Sequence, residues 1–192
     1  FNYGGQKYCK GETMTIINTI NNVKLIKPNV GFKVEYLNMI AEWKEYGEEL
    51  IPGSLNLDTV DFDLLVKKLN EHSEGIGLPD GFVPYTIFWL INNKNNILGA
   101  IEIRHKLNDY LAFRGGHIGY GIRPSERNKG YASYMLSMTL QYCKSIGLTK
   151  VLITCLKNNI GSAKTIIKNG GILDSEDIDS GEVFQRYWID IK

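Results

Sequence analysis

The stretch from His117 to Leu140, HIGYGIRPSERNKGYASYMLSMTL, constrains this chain more than any other. His117-Ile118-Gly119-Tyr120-Gly121-Ile122 alternates with period two and reads as a strand. One face carries Ile118, Tyr120 and Ile122. The other carries His117, Gly119 and Gly121 and is almost bare. A strand face stripped to glycine packs weakly and marks a place where a ligand or another backbone comes close. Pro124 stops the strand, and Ser125-Glu126 supply turn chemistry. Ala132, Leu136, Leu140 and Cys143 then recur at helical spacing, so a helix begins near Lys129 or Gly130. Its first amides have no intrahelical partner and add to the positive end of the helix dipole. Gly130 and Ala132 are small, and Arg127 and Lys129 bring two cations. Together these features suit an anion such as a diphosphate. The plainer alternative is a strand–turn–helix with solvated basic residues.

Arg127-x-x-Gly130-x-Ala132 after a glycine-bearing strand resembles the acyl-CoA signature of the GNAT superfamily of N-acetyltransferases, Gln/Arg-x-x-Gly-x-Gly/Ala. The wider string GGHIGYGIRPSERNKGYA is similar to a bacterial branch of predicted acetyltransferases. The resemblance covers the chain from about Val23 to Ile191. It implies acetyl-CoA as cosubstrate, with no metal, and direct acetyl transfer to a primary amine. It also implies a GNAT fold, a central mixed α/β sheet of six to seven strands flanked by helices.

The 192 residues suit one domain. Residues 1–22 read as an extension, in which the first thirteen precede Met14 and are either upstream or cloning-derived, and 23–192 read as the domain. A net charge of +1 gives no global field for nucleic acid or a membrane surface. The longest aliphatic or aromatic run, Ile87 to Ile91, is too short to span a bilayer. Three cysteines, Cys9, Cys143 and Cys155, lack metal-ligand spacing and point to a reducing cytoplasm. Cys143 and Cys155 are expected as buried thiols. A homodimer is compatible with the family.

The remaining elements follow from pattern. Val23 to Lys27 is a strand. Phe32 to Glu49 is a helix with Val34, Leu37, Ile40, Ala41 and Trp43 inward, and a second helix is capped by Asp58. His72, at that helix's polar end, reads as a solvated surface residue. Glu74 to Pro84 is a loop, which the resemblance places on the acceptor side. Tyr85 to Asn92 and Ile97 to His105 form a hairpin. Lys150 to Leu156 is a buried strand that follows the central strand through a helix, so the pair is parallel. Asn158 to Ser162 opens another helix. Ile172 to Asp174 and Glu182 to Ile191 are the closing strands, with the turn at Asp177 to Gly181.

Acetyl transfer needs a held CoA, a deprotonated amine and a leaving thiolate. The resemblance assigns CoA to Arg127, Asn128, Lys129, Gly130, Tyr131 and Ala132, and pantetheine to the strand end Gly121, Ile122 and Arg123. A backbone N–H at that edge can stabilise the oxyanion. Asn159 and Ser162 match the family's second CoA contact, and Asn159 also reads as a plain helix cap. An alkylamine with pKa near ~10 is neutral in about one molecule per thousand at pH 7, so a base helps. His117 is one candidate and Glu102 on the neighbouring strand the other. His105 lies on the opposite alternation phase from Glu102. Many relatives place a proton-donating tyrosine seven residues after the Asn. Here that residue is Ile166, so no general acid is assigned. Tyr120 and Tyr134 are expected to pack in the core. The alternative to an enzyme is a non-catalytic acyl-CoA sensor.

Overall fold

A computed structural model describes residues 19, 20 and 22–191. The expected extension before Thr19 lies outside these residues. Strand β1 (Thr19–Ile20) pairs antiparallel with β2 (Val23–Ile26), which pairs with β3 (Tyr85–Asn92), β4 (Ile97–Arg104) and β5 (Ile118–Ile122) in turn. A second sheet carries β6 (Lys150–Leu156), β8 (Glu182–Asp190) and β7 (Ile172–Asp179) in that order.

The near-continuous apolar runs of β3 and β4 reflect cover on both faces. On one face, α1 (Lys33–Glu45) and α2 (Phe62–His72) close a core over Ile87, Trp89 and Ala100. On the other, α4 (Tyr131–Ser145) and α5 (Ile160–Lys168) bury Met135, Leu136, Cys143 and Ile166 against Phe88, Ile101 and Ile118. Cys143 and Cys155 are buried free thiols, as expected.

Several local expectations shift. The inward face of α1 is Tyr36, Met39, Ile40 and Trp43, a helical i, i+3, i+4, i+7 set, while Val34 is exposed. Asp61, not Asp58, caps α2 by accepting from Leu64 N–H at 3.0 Å, and Asp58 instead accepts from Val60 N–H at 2.9 Å. A short helix α3 (Asp109–Phe113), capped by Asn108, occupies the connection into β5. β7 runs on to Asp179, because its polar residues pair across to β8 through Gln185–Glu176 and Arg186–Asp177 contacts along an otherwise exposed ladder.

The parallel pair of β5 and β6 touches at one point. His117 N–H donates to the Leu152 carbonyl at 2.7 Å, and Leu152 N–H donates back to His117 Nδ1 at 2.9 Å. Farther along β5, the Tyr120 hydroxyl lies 3.0 Å from Ser162 Oγ in α5, which follows the end of β6, so both strands advance in the same sense. No ladder joins them, and the mixed layout divides into five- and three-stranded sheets. A side chain stands where the next backbone bond of a ladder would form, and the strands part beyond it.

Candidate active site

Beside the end of β5, between the heads of α4 and α5, is a cavity of about 720 Å³. Nine of the eleven expected CoA-contact residues line it: Gly121, Ile122, Arg127, Asn128, Gly130, Tyr131, Ala132, Asn159 and Ser162. Gly130 caps α4 with φ at 80°, a left-handed conformation that glycine adopts without cost. Asn128 also has positive φ, 61°. The amides at the start of α4 therefore open onto the cavity. Asn159 Oδ1 accepts from Ser162 N–H at 3.0 Å, so it caps α5 while lining the same space.

The cations are more occupied than the sequence implied. Arg127 makes two bonds to Glu48, at 2.8 and 2.5 Å, donates through Nε to the Ile122 carbonyl at 3.0 Å and lies over the Trp43 ring. That pairing raises the Arg127 pKa and lowers that of Glu48. Lys129 pairs with Glu126 at 2.9 Å. Arg123 is spent elsewhere. Its guanidinium grips Glu42, which also accepts from Ser125 N–H at 2.7 Å, and its own N–H donates to the Leu98 carbonyl at 2.9 Å. Neither Arg123 nor Lys129 lines the cavity.

Pairing parity decides which amides of β5 are available. Arg104 N–H donates to the His117 carbonyl and Arg123 N–H to that of Leu98, so His117, Gly119, Gly121 and Arg123 form the bonded positions toward β4. Tyr120 and Ile122 then turn their N–H groups to the opposite edge, where β6 has departed. The edge expected at Gly121 to Arg123 is therefore offered by Ile122 and Tyr120. The glycine face itself is filled. A Cβ on Gly121 would sit 2.5 Å from the Ile51 carbonyl oxygen and 2.6 Å from Trp43, so the close approach is by backbone and indole.

A second cavity of about 420 Å³ lies on the α1–α2 side. Its floor holds Glu102, only 5% exposed, bonded to Arg104 at 2.8 Å. Arg104 is fixed by the carbonyls of Gly115 and Gly116, at 3.0 and 3.2 Å. His72 is buried here, contrary to the expectation of a solvated residue. Its Nδ1 lies 2.6 Å from the Tyr85 hydroxyl. Burial lowers the His72 pKa and raises that of Tyr85. The sequence hid this pair because His72 ends a polar helix turn and meets Tyr85 only in the tertiary fold. Pro79, Gly81, Phe82 and Val83 of the expected 74–84 loop line this cavity.

His117 is 7% exposed, beside Trp188. Its Nδ1 already accepts from Leu152 N–H, which places the ring proton on Nε2. Burial, with the Arg104 charge second, depresses its pKa to about 4. This geometry counts against His117 as the base. His105 bonds Thr86 at 2.9 Å, away from Glu102.

The family model described as "Acetyltransferase (GNAT) domain" matches residues 41–172. The chain belongs to the GNAT family. It is an acetyl-CoA-dependent N-acetyltransferase with the GNAT fold. No curated protein matches the chain. Among solved structures it is similar to the microcin C7 self-immunity acetyltransferase MccE, determined with acetyl-CoA and AMP, at 17% identity and TM-score 0.64 over 91% of this chain and 94% of that one. It is similar to the ribosomal-protein-S5-alanine acetyltransferase of Vibrio fischeri, at 14% identity and TM-score 0.69 over 91% and 96%. A Salmonella typhimurium enzyme that modifies the N-terminal serine of L7/L12 matches at 13% identity and TM-score 0.66 over 92% and 99%.

One GNAT position departs from the expected pattern. Ile166, where many relatives carry the proton-donating tyrosine, is fully buried in the core. Tyr120 packs against the core as expected, and it also lines the cavity. Its hydroxyl is 3.0 Å from Ser162 Oγ, and burial raises its pKa to about 12.

Proposed function

We propose that this GNAT enzyme acetylates a primary amine that enters through the Glu102 cavity, while acetyl-CoA occupies the cavity between β5 and β6. The supporting observation is the open edge of β5 at Tyr120 and Ile122, next to the start of α4. Amides there fit a pyrophosphate, and an added strand-like chain fits the vacated edge. Bound there, acetyl-CoA supplies the activated thioester.

The roles of the residues follow from placement. The Ile122 N–H donates to the carbonyl oxygen as it becomes an oxyanion. Glu102, with one oxygen bonded to Arg104, presents its other oxygen as proton acceptor for the incoming ammonium, directly or through water. The Tyr120 hydroxyl, 3.0 Å from Ser162 Oγ and donating to the Ser162 carbonyl at 3.4 Å, turns from these partners to donate its proton to the departing sulfur. His117 is a positioning residue that holds the parting of β5 and β6. The acceptor amine is a small molecule or a protein N-terminus, the two kinds the similar enzymes are named for.

Calorimetric titration with acetyl-CoA, beside Gly130→Asp, tests the cavity. Micromolar binding that the variant loses supports it, because a carboxylate at the head of α4 opposes an anion by bulk and charge. Absence of binding to the unaltered protein overturns it.

A further inference from the structure

Resting on that reading of the Glu102 cavity, we infer that its acceptor carries a single ammonium group next to an apolar body the size of an aromatic or branched aliphatic side chain. Polyamines and aminoglycosides are excluded by the same features. The chemistry has two sources, a free monoamine or the first residue of a peptide.

The charge inventory carries the first half. The cavity's carboxylate, Glu102, is matched by Arg104 at 2.8 Å. Burial disfavours a charge on its histidine, His72, whose Nδ1 is already bonded to the Tyr85 hydroxyl at 2.6 Å. A polycation would bring several charges to a lining whose charges already cancel. One ammonium, however, has three donors. Among the oxygens that line the cavity, three suit these donors: the Glu102 carboxylate, the Tyr85 phenol and the Ser54 hydroxyl. Ser54 Oγ is the telling one. It is buried, with the residue 7% exposed, and has no hydrogen-bond partner among the described residues. A buried hydroxyl left unpaired carries a desolvation cost, so a ligand donor there recovers it.

The walls carry the second half. Leu57, Pro79, Phe82, Val83 and Leu111 surround this floor. Phe82 is mostly exposed at the mouth, where an apolar body would cover it. A mainly apolar pocket with a few convergent polar groups suits a compact, largely apolar ligand.

The test is steady-state release of CoA thiol with phenethylamine, isoamylamine, spermidine, kanamycin and the peptide amide Phe-Gly-Gly. The expected result is kcat/KM for phenethylamine or Phe-Gly-Gly at least tenfold above that for spermidine and kanamycin. Which of the two is better identifies the source. Ser54→Ala is expected to raise the amine KM severalfold while leaving acetyl-CoA affinity unchanged. Phe82→Glu adds a carboxylate at an exposed position without disturbing the core. It should lower phenethylamine turnover about tenfold and raise that of spermidine. Preference of the unaltered enzyme for spermidine or kanamycin overturns this inference and leaves the acetyltransferase reading intact. Turnover of none of these amines, with acetyl-CoA still bound, overturns the assignment of the cavity and the inference with it.

Discussion

Arg127 and Glu48 form a two-point ion pair, 2.8 and 2.5 Å, inside the cavity that the anion loop opens onto. The loop's own arginine is thus neutralised before any phosphate arrives. Removing the charge of Glu48 while keeping its shape should free Arg127 for a phosphate and remove a repelling carboxylate. Glu48→Gln is expected to tighten acetyl-CoA binding about threefold to tenfold by calorimetry, in the range of a partly exposed pair. Unchanged or weaker binding would show that Glu48 chiefly holds Arg127 in place.

Tyr120 and Ser162 define the prediction for the leaving group. Tyr120→Phe removes the donor and keeps the ring in its core contact. A fall in kcat of about 10²-fold with acetyl-CoA affinity preserved is expected, the size of one general acid–base contribution. An unaltered kcat would mean the thiolate leaves unassisted.

Glu102→Gln keeps a hydrogen-bonding partner for Arg104 and removes the proton acceptor. Turnover should fall about 10²-fold, and the acidic limb of the pH–rate profile should flatten. A profile of unchanged shape and height sinks the role given to Glu102.

His117 supplies a pH prediction of definite sign. Its pKa falls from about 6.5 when unfolded to about 4 when folded, chiefly by burial. A depressed histidine stabilises the fold above the unfolded pKa, and that contribution is lost as pH falls from about 6.5 toward 4, up to about 3 kcal/mol in all. His117→Asn places an amide oxygen where Nδ1 accepts from Leu152 N–H and abolishes the titration. Urea unfolding at pH 7 and 4.5 should show a smaller acid loss in this variant, with kcat near that of the unaltered enzyme at pH 7. A 100-fold loss of kcat would restore His117 as the base.

Gly121→Ala tests the filled glycine face. The added Cβ would meet the Ile51 carbonyl oxygen at 2.5 Å and Trp43 at 2.6 Å. A loss of about 1–3 kcal/mol in chemical denaturation is expected, as for overpacking. A neutral effect would show that the 50–53 loop yields.

Much of this enzyme was written locally. The period-two run at His117 to Ile122, the small residues Gly130 and Ala132 and the cap at Asn159 depend on neighbours within a few positions. They mark the lining of the cavity at the head of α4 before any long-range contact is known. Alternation also separated the two faces of β5, because side-chain direction in a strand is fixed by covalent geometry.

What the tertiary structure alone decided involves partners distant in sequence. His72 finds Tyr85, Arg127 finds Glu48, and Arg123 turns from the cofactor edge to Glu42. His117 looked like a base by its type and face, yet Leu152, 35 positions away, takes its lone pair. Tyr120 packs against the core, as its type suggests, and its hydroxyl also reaches Ser162 in the cavity. The physical reason is common to all five. Residue type and local period set where a side chain points, but the state of its charge or lone pair is set by whichever groups long-range packing brings within hydrogen-bond distance.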